Sequence, residues 1–85
     1  MCRTSDFEVG VKHFRAGEIE VAHKQIVATE ISVVISGVIE MNGQEFREGQ
    51  IITVLPGEIT NFRSLTNSSL VCVKFPSIPA DRIVV

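Results

Sequence analysis

Hydrophobic and polar residues alternate along most of the chain, and no segment keeps the 3.6-residue spacing of an amphipathic helix. Because neighbouring side chains of a strand point to opposite faces, this alternation predicts an all-β protein. In the first predicted strand, Phe7, Val9 and Val11 share one face. In the second, one face is formed by Ile19, Val21, His23, Gln25 and Val27.

Turn residues divide the rest of the chain into short strands. Segment 29–41 is rich in β-branched residues on both faces, which is typical of a strand covered on both sides. Asn42-Gly43 predicts a two-residue type I′ hairpin. The last residues, 82–85, are expected to add a short edge strand. Turns about every 8–12 residues, without helical segments between them, indicate a sandwich or barrel.

The size and hydropathy of the chain predict association. The 85 residues make one expected domain, 1–85, and a chain this short buries only about 60–65% of its unfolded surface. Hydrophobic residues nevertheless make up 45% of the chain, and the mean hydropathy is +0.28. We therefore expect the excess apolar surface to form the interface of a homodimer.

Composition also excludes several partners and compartments. No apolar run approaches the roughly 18 residues of a membrane helix, and the first ten residues lack the apolar core of a signal peptide, so we expect a cytoplasmic protein with no membrane partner. Cys2 and Cys72 are expected to be free thiols in a reducing compartment. The net charge of −2, with scattered basic residues and no Trp or Tyr, argues against a nucleic-acid partner.

One histidine and one glutamate lie in a run that otherwise alternates as a strand. Gly17 is followed by five residues and His23, and Gln25 comes two positions after His23. Four residues then separate Gln25 from Glu30, and six separate Glu30 from Gly37. This spacing resembles the first cupin motif, G-x5-H-x-H-x3–4-E-x6-G, with Gln25 at the position of the second histidine.

The second half of the chain resembles the second cupin motif, G-x5-P-x-G-x2-H-x3-N, in its glycines and spacing. Gly49 and Gly57 match the two glycines. Leu55, Thr60 and Ser64 stand at the places of the proline, histidine and asparagine. The resemblance implies a cupin-like jelly-roll β-barrel, or double-stranded β-helix, made of two antiparallel sheets.

The resemblance also implies a site inside the barrel. Metal-binding cupins hold their ion with the histidines and glutamate of the first motif and the histidine of the second. Those places hold His23, Gln25, Glu30 and Thr60 here, and only His23 and Glu30 are strong ligands. We therefore expect no tightly bound cofactor and at most a weakly bound divalent metal on these four residues. Arg63 is expected near the barrel mouth, where its guanidinium would bind an anionic group.

Each candidate residue also has a purely structural interpretation. His23 and Glu30 would equally serve as a hydrogen-bonded pair across adjacent strands, which fixes strand register without any chemistry. His13 is expected to be a core or edge histidine, and replacement of a lost ligand is the alternative. The remaining candidates would then be ordinary strand or surface residues.

Three functions remain open on the sequence alone. The first is a small-molecule-binding protein with a ligand such as a sugar or carboxylate in the barrel. The second is an enzyme with His23 and Glu30 as an acid–base pair, for example a sugar isomerase or epimerase, or a weakly metal-dependent one. The third is an assembly role in which the dimer surface is the functional part. No sequence feature decides whether the chain is an enzyme.

Overall fold

Ten β-strands and no helix make up the chain in a computed structural model, which describes residues 1–85. The strands are β1 (Cys2–Arg3), β2 (Glu8–Phe14), β3 (Ile19–Gln25), β4 (Thr29–Ser36), β5 (Val38–Met41), β6 (Gln44–Arg47), β7 (Ile51–Val54), β8 (Thr60–Ser64), β9 (Ser68–Phe75) and β10 (Arg82–Val84). They form two antiparallel five-stranded sheets. Sheet I has the order β1-β2-β9-β4-β7, and sheet II has the order β10-β3-β8-β5-β6. The predicted all-β class is therefore confirmed.

The hydrophobic core lies between the inner faces of the two sheets. Phe62 and Leu70 belong to this core and are 5% and 2% exposed, and the ring of Phe14 packs 4.5 Å from that of Phe62. Removing a large apolar side chain from water contributes about 1.5–3 kcal/mol, so this cluster is a main source of stability. The rest of the core consists of Val34, Ile39, Ile52, Val54 and Cys72, with Met41 and Phe46 packed against it.

Gly37 divides segment 29–41, which the sequence predicted as one strand, into two. β4 ends at Ser36 in sheet I, and β5 begins at Val38 in sheet II. Gly37 has φ +83°, and a Cβ atom there would overlap the carbonyl oxygen of Asn67. Only glycine fits both constraints, so it lets the chain pass from one sheet to the other.

Two local predictions are confirmed. Asn42 and Gly43 have φ of 51° and 78°, and they connect β5 to β6 with Met41 opposite Gln44, as a type I′ hairpin requires. The final segment forms the edge strand β10, which pairs with β3.

The face predicted for the second strand is wrong, because a bulge interrupts its pairing with β8. The register shifts between Glu20 and His23. A bulge adds one residue, so the residues before it point to the opposite face from the one alternation predicts. Ile19 and Val21 are consequently exposed, whereas His23 and Gln25 are buried. Glu20 turns inward in their place.

In the first strand, too, the face that points into the barrel is not the face of Phe7, Val9 and Val11. Phe7 and Val11 are 39% and 61% exposed, and Val11 lies on the outer face of sheet I. The inner face of β2 instead presents Lys12 and Phe14. The charged side chain of Lys12 therefore enters the barrel, while the neighbouring apolar Val11 points outward.

Candidate functional site

The candidate residues of the two motifs meet at one end of the barrel. His23 on β3 and Thr60 on β8 are Cα partners in sheet II, and both are buried. Glu30 on β4 faces them from sheet I and lines the same cavity. Gln25 lies two residues beyond His23 and is 3% exposed. The structure therefore brings His23, Gln25, Glu30 and Thr60 together.

Gln25 and Glu30 form the direct contact between the sheets at this site. Gln25 Nε2 donates a hydrogen bond of 3.1 Å to Glu30 Oε2. The expectation that Glu30 pairs with His23 across adjacent strands is wrong, since β3 and β4 belong to different sheets. The polar pair of this site is Gln25–Glu30.

The imidazole of His23 has its two nitrogens in different environments. Nδ1 lies 3.0 Å from the carbonyl oxygen of Val21 and 3.2 Å from Nη2 of Arg82. The carbonyl oxygen can only accept and the guanidinium can only donate, so the two contacts require opposite tautomers; in the one that donates Nδ1–H to Val21, the shorter contact, Nε2 keeps its lone pair. Nε2 has no protein partner, and no fully buried polar side-chain atom in the chain lacks one, so Nε2 is accessible. In the tautomer that donates to Val21, it is available as a base or hydrogen-bond acceptor.

Three charged residues that the sequence analysis missed surround His23. Glu20 Oε2 lies 3.7 Å from Lys12 Nζ and 3.7 Å from Arg82 Nη1. Their side chains are 22%, 35% and 37% exposed, respectively, so water partly screens both ion pairs. Lys12 comes from sheet I and Arg82 from the edge strand β10, which means that the two cations approach Glu20 from opposite sides of the barrel opening.

The inner cavity between the sheets is small. Its volume is about 20 Å³, and its lining includes Lys12, Glu20, His23, Glu30 and Thr60. A single water molecule needs about 10–15 Å³ of such space, so the cavity holds about one water. The expectation that a sugar lies inside the barrel does not fit these side-chain positions, because Phe62 and Leu70 already fill the space beyond the polar residues.

A larger pocket, here called the vestibule, lies outside the inner cavity at the same end of the barrel. Its volume is about 210 Å³. Gln25 is the candidate residue that lines it, and the charged lining residues are Arg3, Glu8, Lys74, Asp81 and Arg82. Gln25 thus faces the vestibule while it binds Glu30, which lines the inner cavity.

The C-terminal segment forms one wall of the vestibule and is tied to the barrel through Asp81. Its Oδ1 accepts a hydrogen bond of 3.0 Å from the Val27 amide, and its Oδ2 accepts one of 2.9 Å from the Ala28 amide. Hydrogen bonds to an ionised carboxylate are stronger than neutral ones. This clamp places Arg82, the next residue, beside His23.

Arg63 and His13 lie away from this site. Arg63 projects from the outer face of sheet II, where its Nη2 lies 3.5 Å from Glu40 Oε1. The expectation that it lines the barrel mouth is wrong, because alternation along β8 points it opposite to Thr60. His13 is exposed on β2, and its Nδ1 lies 2.8 Å from Ser69 Oγ.

The residues present do not form a tight metal site. The structure contains no group of three or more His, Cys, Asp or Glu side chains placed to hold an ion. At the second position of the first motif, Gln25 directs its amide N–H toward Glu30 rather than an oxygen toward a metal. The strong donors of the motif set are His23 and Glu30, so a weakly held divalent ion on this set stays a prediction.

Cys72 is the titratable group whose pKa is clearly displaced. It lies in the lining of the inner cavity on β9, and burial raises the pKa of its thiol above the ordinary value of 9.0. The Ser32 hydroxyl, 3.5 Å from Cys72 Sγ, partly opposes this shift. The thiol therefore stays protonated at neutral pH and is a poor nucleophile or ligand.

Comparisons with known proteins identify the fold. No protein-family model and no curated protein matches the sequence. An uncharacterized conserved protein with a double-stranded β-helix domain from Klebsiella pneumoniae superposes with TM-score 0.90 at 24% identity, covering 99% of this chain and 74% of that one. An RmlC-like cupin from Shewanella frigidimarina gives TM-score 0.80 at 16% identity, covering 88% and 70%.

An enzyme is also among the similar structures. The DMSP lyase DddQ from Ruegeria pomeroyi superposes with TM-score 0.79 at 16% identity, covering 95% of this chain and 44% of the lyase. At these identities the likeness concerns the fold. Together with the two facing antiparallel sheets and the matched spacing of the first motif, it shows that this chain is a small protein with the cupin fold, the double-stranded β-helix.

Proposed function

We propose that this chain is a small-molecule-binding cupin-like protein whose ligand occupies the vestibule and contacts Gln25. The observation that carries the proposal is the position of Gln25, which is buried, faces the vestibule and bonds to Glu30. Small-ligand sites are typically concave and have a few convergent polar groups. The side-chain Oε1 of Gln25 has no protein partner and is available to accept a hydrogen bond from a ligand.

A sugar or a carboxylate suits the vestibule better than an apolar ligand. Six of its eleven lining residues have charged or amide side chains, which offer hydrogen bonds and charge that an apolar ligand would leave unused. The volume of about 210 Å³ also allows a small polar molecule that the inner cavity excludes.

Nuclear magnetic resonance tests this proposal with Gln25 as a built-in probe. In ¹⁵N-labelled protein, titration with a panel of monosaccharides and small carboxylates should shift the Gln25 side-chain amide and the backbone amide of Arg82. The side-chain amides of Asn42 and Asn61, in the hairpin region outside the vestibule, should stay in place. Saturable shifts confined to other parts of the chain, or none for any compound, would contradict the proposal.

Acid–base catalysis is the second candidate function, and the accessible Nε2 of His23 favours it. Glu30 and Thr60 line the same water-sized cavity, so a substrate atom placed in it would contact these groups. If a vestibule ligand is converted on prolonged incubation, His23→Gln should abolish conversion without preventing binding. Retained conversion in that variant would exclude His23 as the acid or base.

We also propose a homodimer formed by the outer face of sheet I. Eight β-branched apolar residues cover this face, and we call them the outer apolar patch: Val9, Val11, Ile31, Val33, Ile35, Ile51, Val71 and Val73. Val11, Ile51 and Ile35 are 61%, 64% and 47% exposed. The corresponding face of sheet II carries charged residues, among them Lys24, Glu40 and Arg63.

The outer apolar patch would form the centre of an interface with a second copy of the chain, and polar residues around it would form the rest. Neighbouring strands lie about 4.8 Å apart, and a strand rises about 3.3 Å per residue. The four strands of the patch therefore present a flat apolar area on the order of 300 Å². Exposed patches of this size commonly mark interaction sites, and an interface needs roughly 800 Å² of accessible surface per partner. The polar row of His13 and Ser69 at one end of the patch would form part of the rim.

Location remains a prediction of the sequence alone. No helix in the structure has the length and hydropathy needed to cross a membrane. We retain the cytoplasm as the expected compartment.

A further inference from the structure

Among the charged residues around the vestibule, the carboxylates are already engaged, whereas one cation has no ion-pair partner and a second has hydrogen-bond donors to spare. Glu8 Oε2 lies 3.5 Å from Arg3 Nε, and Arg3 Nε also donates to Ser77 Oγ at 3.0 Å. Asp81 accepts hydrogen bonds from the Val27 and Ala28 amides. These interactions leave Lys74 without an ion-pair partner, whereas Arg82 has one long ion pair, to Glu20 at 3.7 Å.

Lys74 projects from the inner face of β9 and is half-buried. Its Cα partners on the neighbouring strands are Glu8 and Glu30, yet it forms no ion pair with either of them. Glu8 is paired with Arg3, and Glu30 accepts from Gln25. An ammonium group without an ion-pair partner at the wall of a pocket attracts negative charge, so an anion in the vestibule would be stabilised by Lys74.

Arg82 makes contacts that use little of its hydrogen-bonding capacity. Nη1 lies 3.7 Å from Glu20 Oε2, which is beyond hydrogen-bond distance. Nη2 lies 3.2 Å from His23 Nδ1, which accepts a hydrogen bond from it only in the tautomer that does not donate to Val21. The guanidinium is thus left with free N–H groups beside the vestibule, and a planar fork of donors matches the geometry of a carboxylate.

We infer that Lys74 and Arg82 form an anion subsite that binds the carboxylate of the vestibule ligand, while Gln25 Oε1 accepts a hydrogen bond from a hydroxyl or amine of the same molecule. The ligand class is therefore a small hydroxy or amino acid. This inference rests on the proposed function, because it names the charge of the ligand that the vestibule takes.

Matched pairs of acids and amides test the charge requirement. Lactate and lactamide, like glycolate and glycolamide, have closely similar size and differ in charge. Each carboxylate should bind at least about tenfold more tightly than its amide, which corresponds to one charge-assisted hydrogen bond. The difference should shrink as salt is added, since the subsite is partly exposed. Calorimetry measures the affinities, and the Gln25 side-chain amide reports the location.

Variants separate the charge of the subsite from its shape. Lys74→Gln and Arg82→Gln should each reduce the acid-over-amide preference about tenfold, whereas Lys74→Arg should retain it. Arg63→Gln, which removes a cation from the outer face of sheet II, is the matched control and should leave the preference unchanged. Circular dichroism of each variant checks that the fold is intact.

The outcomes distinguish this inference from the proposed function. If acid and amide bind equally, or if both glutamine variants keep the preference, the anion subsite is wrong. If monosaccharides shift the Gln25 side-chain amide while no carboxylate does, the subsite is also wrong but the proposed function stands. If no compound shifts that resonance, the proposed function fails and the inference fails with it.

Discussion

Gln25 donates its side-chain amide to Glu30, which joins the two sheets at the polar end of the barrel. The same glutamine forms part of the vestibule wall, whereas Glu30 lines the inner cavity. Where the metal-binding motif would have a second histidine, this chain has an amide that serves as a structural donor. The motif position therefore acts here as a polar link between the vestibule and the interior.

Gly37→Ala should be among the most destabilising substitutions in the chain. Gly37 has φ +83°, and a side chain would overlap the Asn67 carbonyl, so the backbone must move. We expect the free energy of unfolding to fall by at least about 3 kcal/mol in urea denaturation. Gly49→Ala is the control, because Gly49 has φ +86° but nothing within 4 Å of its Cβ position. That variant should lose only about 1–2 kcal/mol. Equal losses would show that backbone strain, rather than the Asn67 contact, dominates.

The raised pKa of Cys72 predicts that stability decreases in alkaline solution. A folded-state pKa above the unfolded value means that the folded protein holds the thiol proton more tightly. The contribution is therefore fully present below pH 9.0, the ordinary thiol pKa, and is lost as pH rises through the folded-state pKa. In a Cys2→Ser background, Cys72→Ala should remove this part of the pH dependence. Identical alkaline slopes with and without Cys72 would contradict the prediction.

Thiol labelling gives a second measure of the same burial. At neutral pH, iodoacetamide should modify the exposed Cys2 and spare the buried Cys72 until the protein is unfolded. Mass spectrometry of native and urea-unfolded samples measures the two sites separately. Labelling of Cys72 in the native protein at the rate of Cys2 would show that the inner cavity opens readily.

The sequence predicted the features of the fold that depend on residues close together in the chain. The hairpin at Asn42-Gly43 follows from the ability of these two residues to adopt positive φ. The spacing from His23 to Glu30 predicted the cupin fold, because a motif of this kind fixes two strands and the turn between them. The outward direction of Arg63 was also available from sequence, since it lies an odd number of positions from Thr60 and alternation separates them.

Non-local effects account for what the sequence did not predict. Glu20 enters the barrel because of a bulge in the pairing of β3 with β8, and nothing in the sequence of β3 marks that shift. Arg82 reaches His23 only because β10 pairs with β3, nearly sixty positions earlier in the chain. Lys12 and Val11 are neighbours on β2, so their side chains point to opposite faces of the sheet. The inward direction of Lys12 could therefore be predicted only once Val11 was known to face outward.

Substitution on the outer apolar patch tests the homodimer and its interface together. Light scattering should give twice the 9.3 kDa chain mass at micromolar concentration. Val71→Lys places a charge at the centre of the patch and should yield a folded monomer, because burying an unpaired ammonium costs more than the interface supplies. Asn61→Lys, on the outer face of sheet II, is the control and should remain dimeric. A monomeric wild type would refute the dimer, and a dimeric Val71→Lys would refute this interface.

Restoring the histidines tests whether the site descends from a metal centre. His23 and Thr60 are Cα partners and Gln25 contacts Glu30, so Gln25→His with Thr60→His should place three imidazoles near one carboxylate. Such a set binds divalent first-row metals well. Elemental analysis should show more bound Ni²⁺ or Zn²⁺ than in the wild type, which should bind these ions weakly.

Thermal stability and two further variants make the histidine experiment specific. Metal at about 100 times its Kd should stabilise the double variant by about 2.7 kcal/mol, since the ion binds only the folded state. Adding His23→Ala should abolish the gain. Gln25→His with Arg63→His supplies the same number of imidazoles with one on the outer face, so it should gain much less. If the double variant folds but takes up no more metal than the wild type, Thr60 does not occupy the place of the second-motif histidine, and it must be removed from the site.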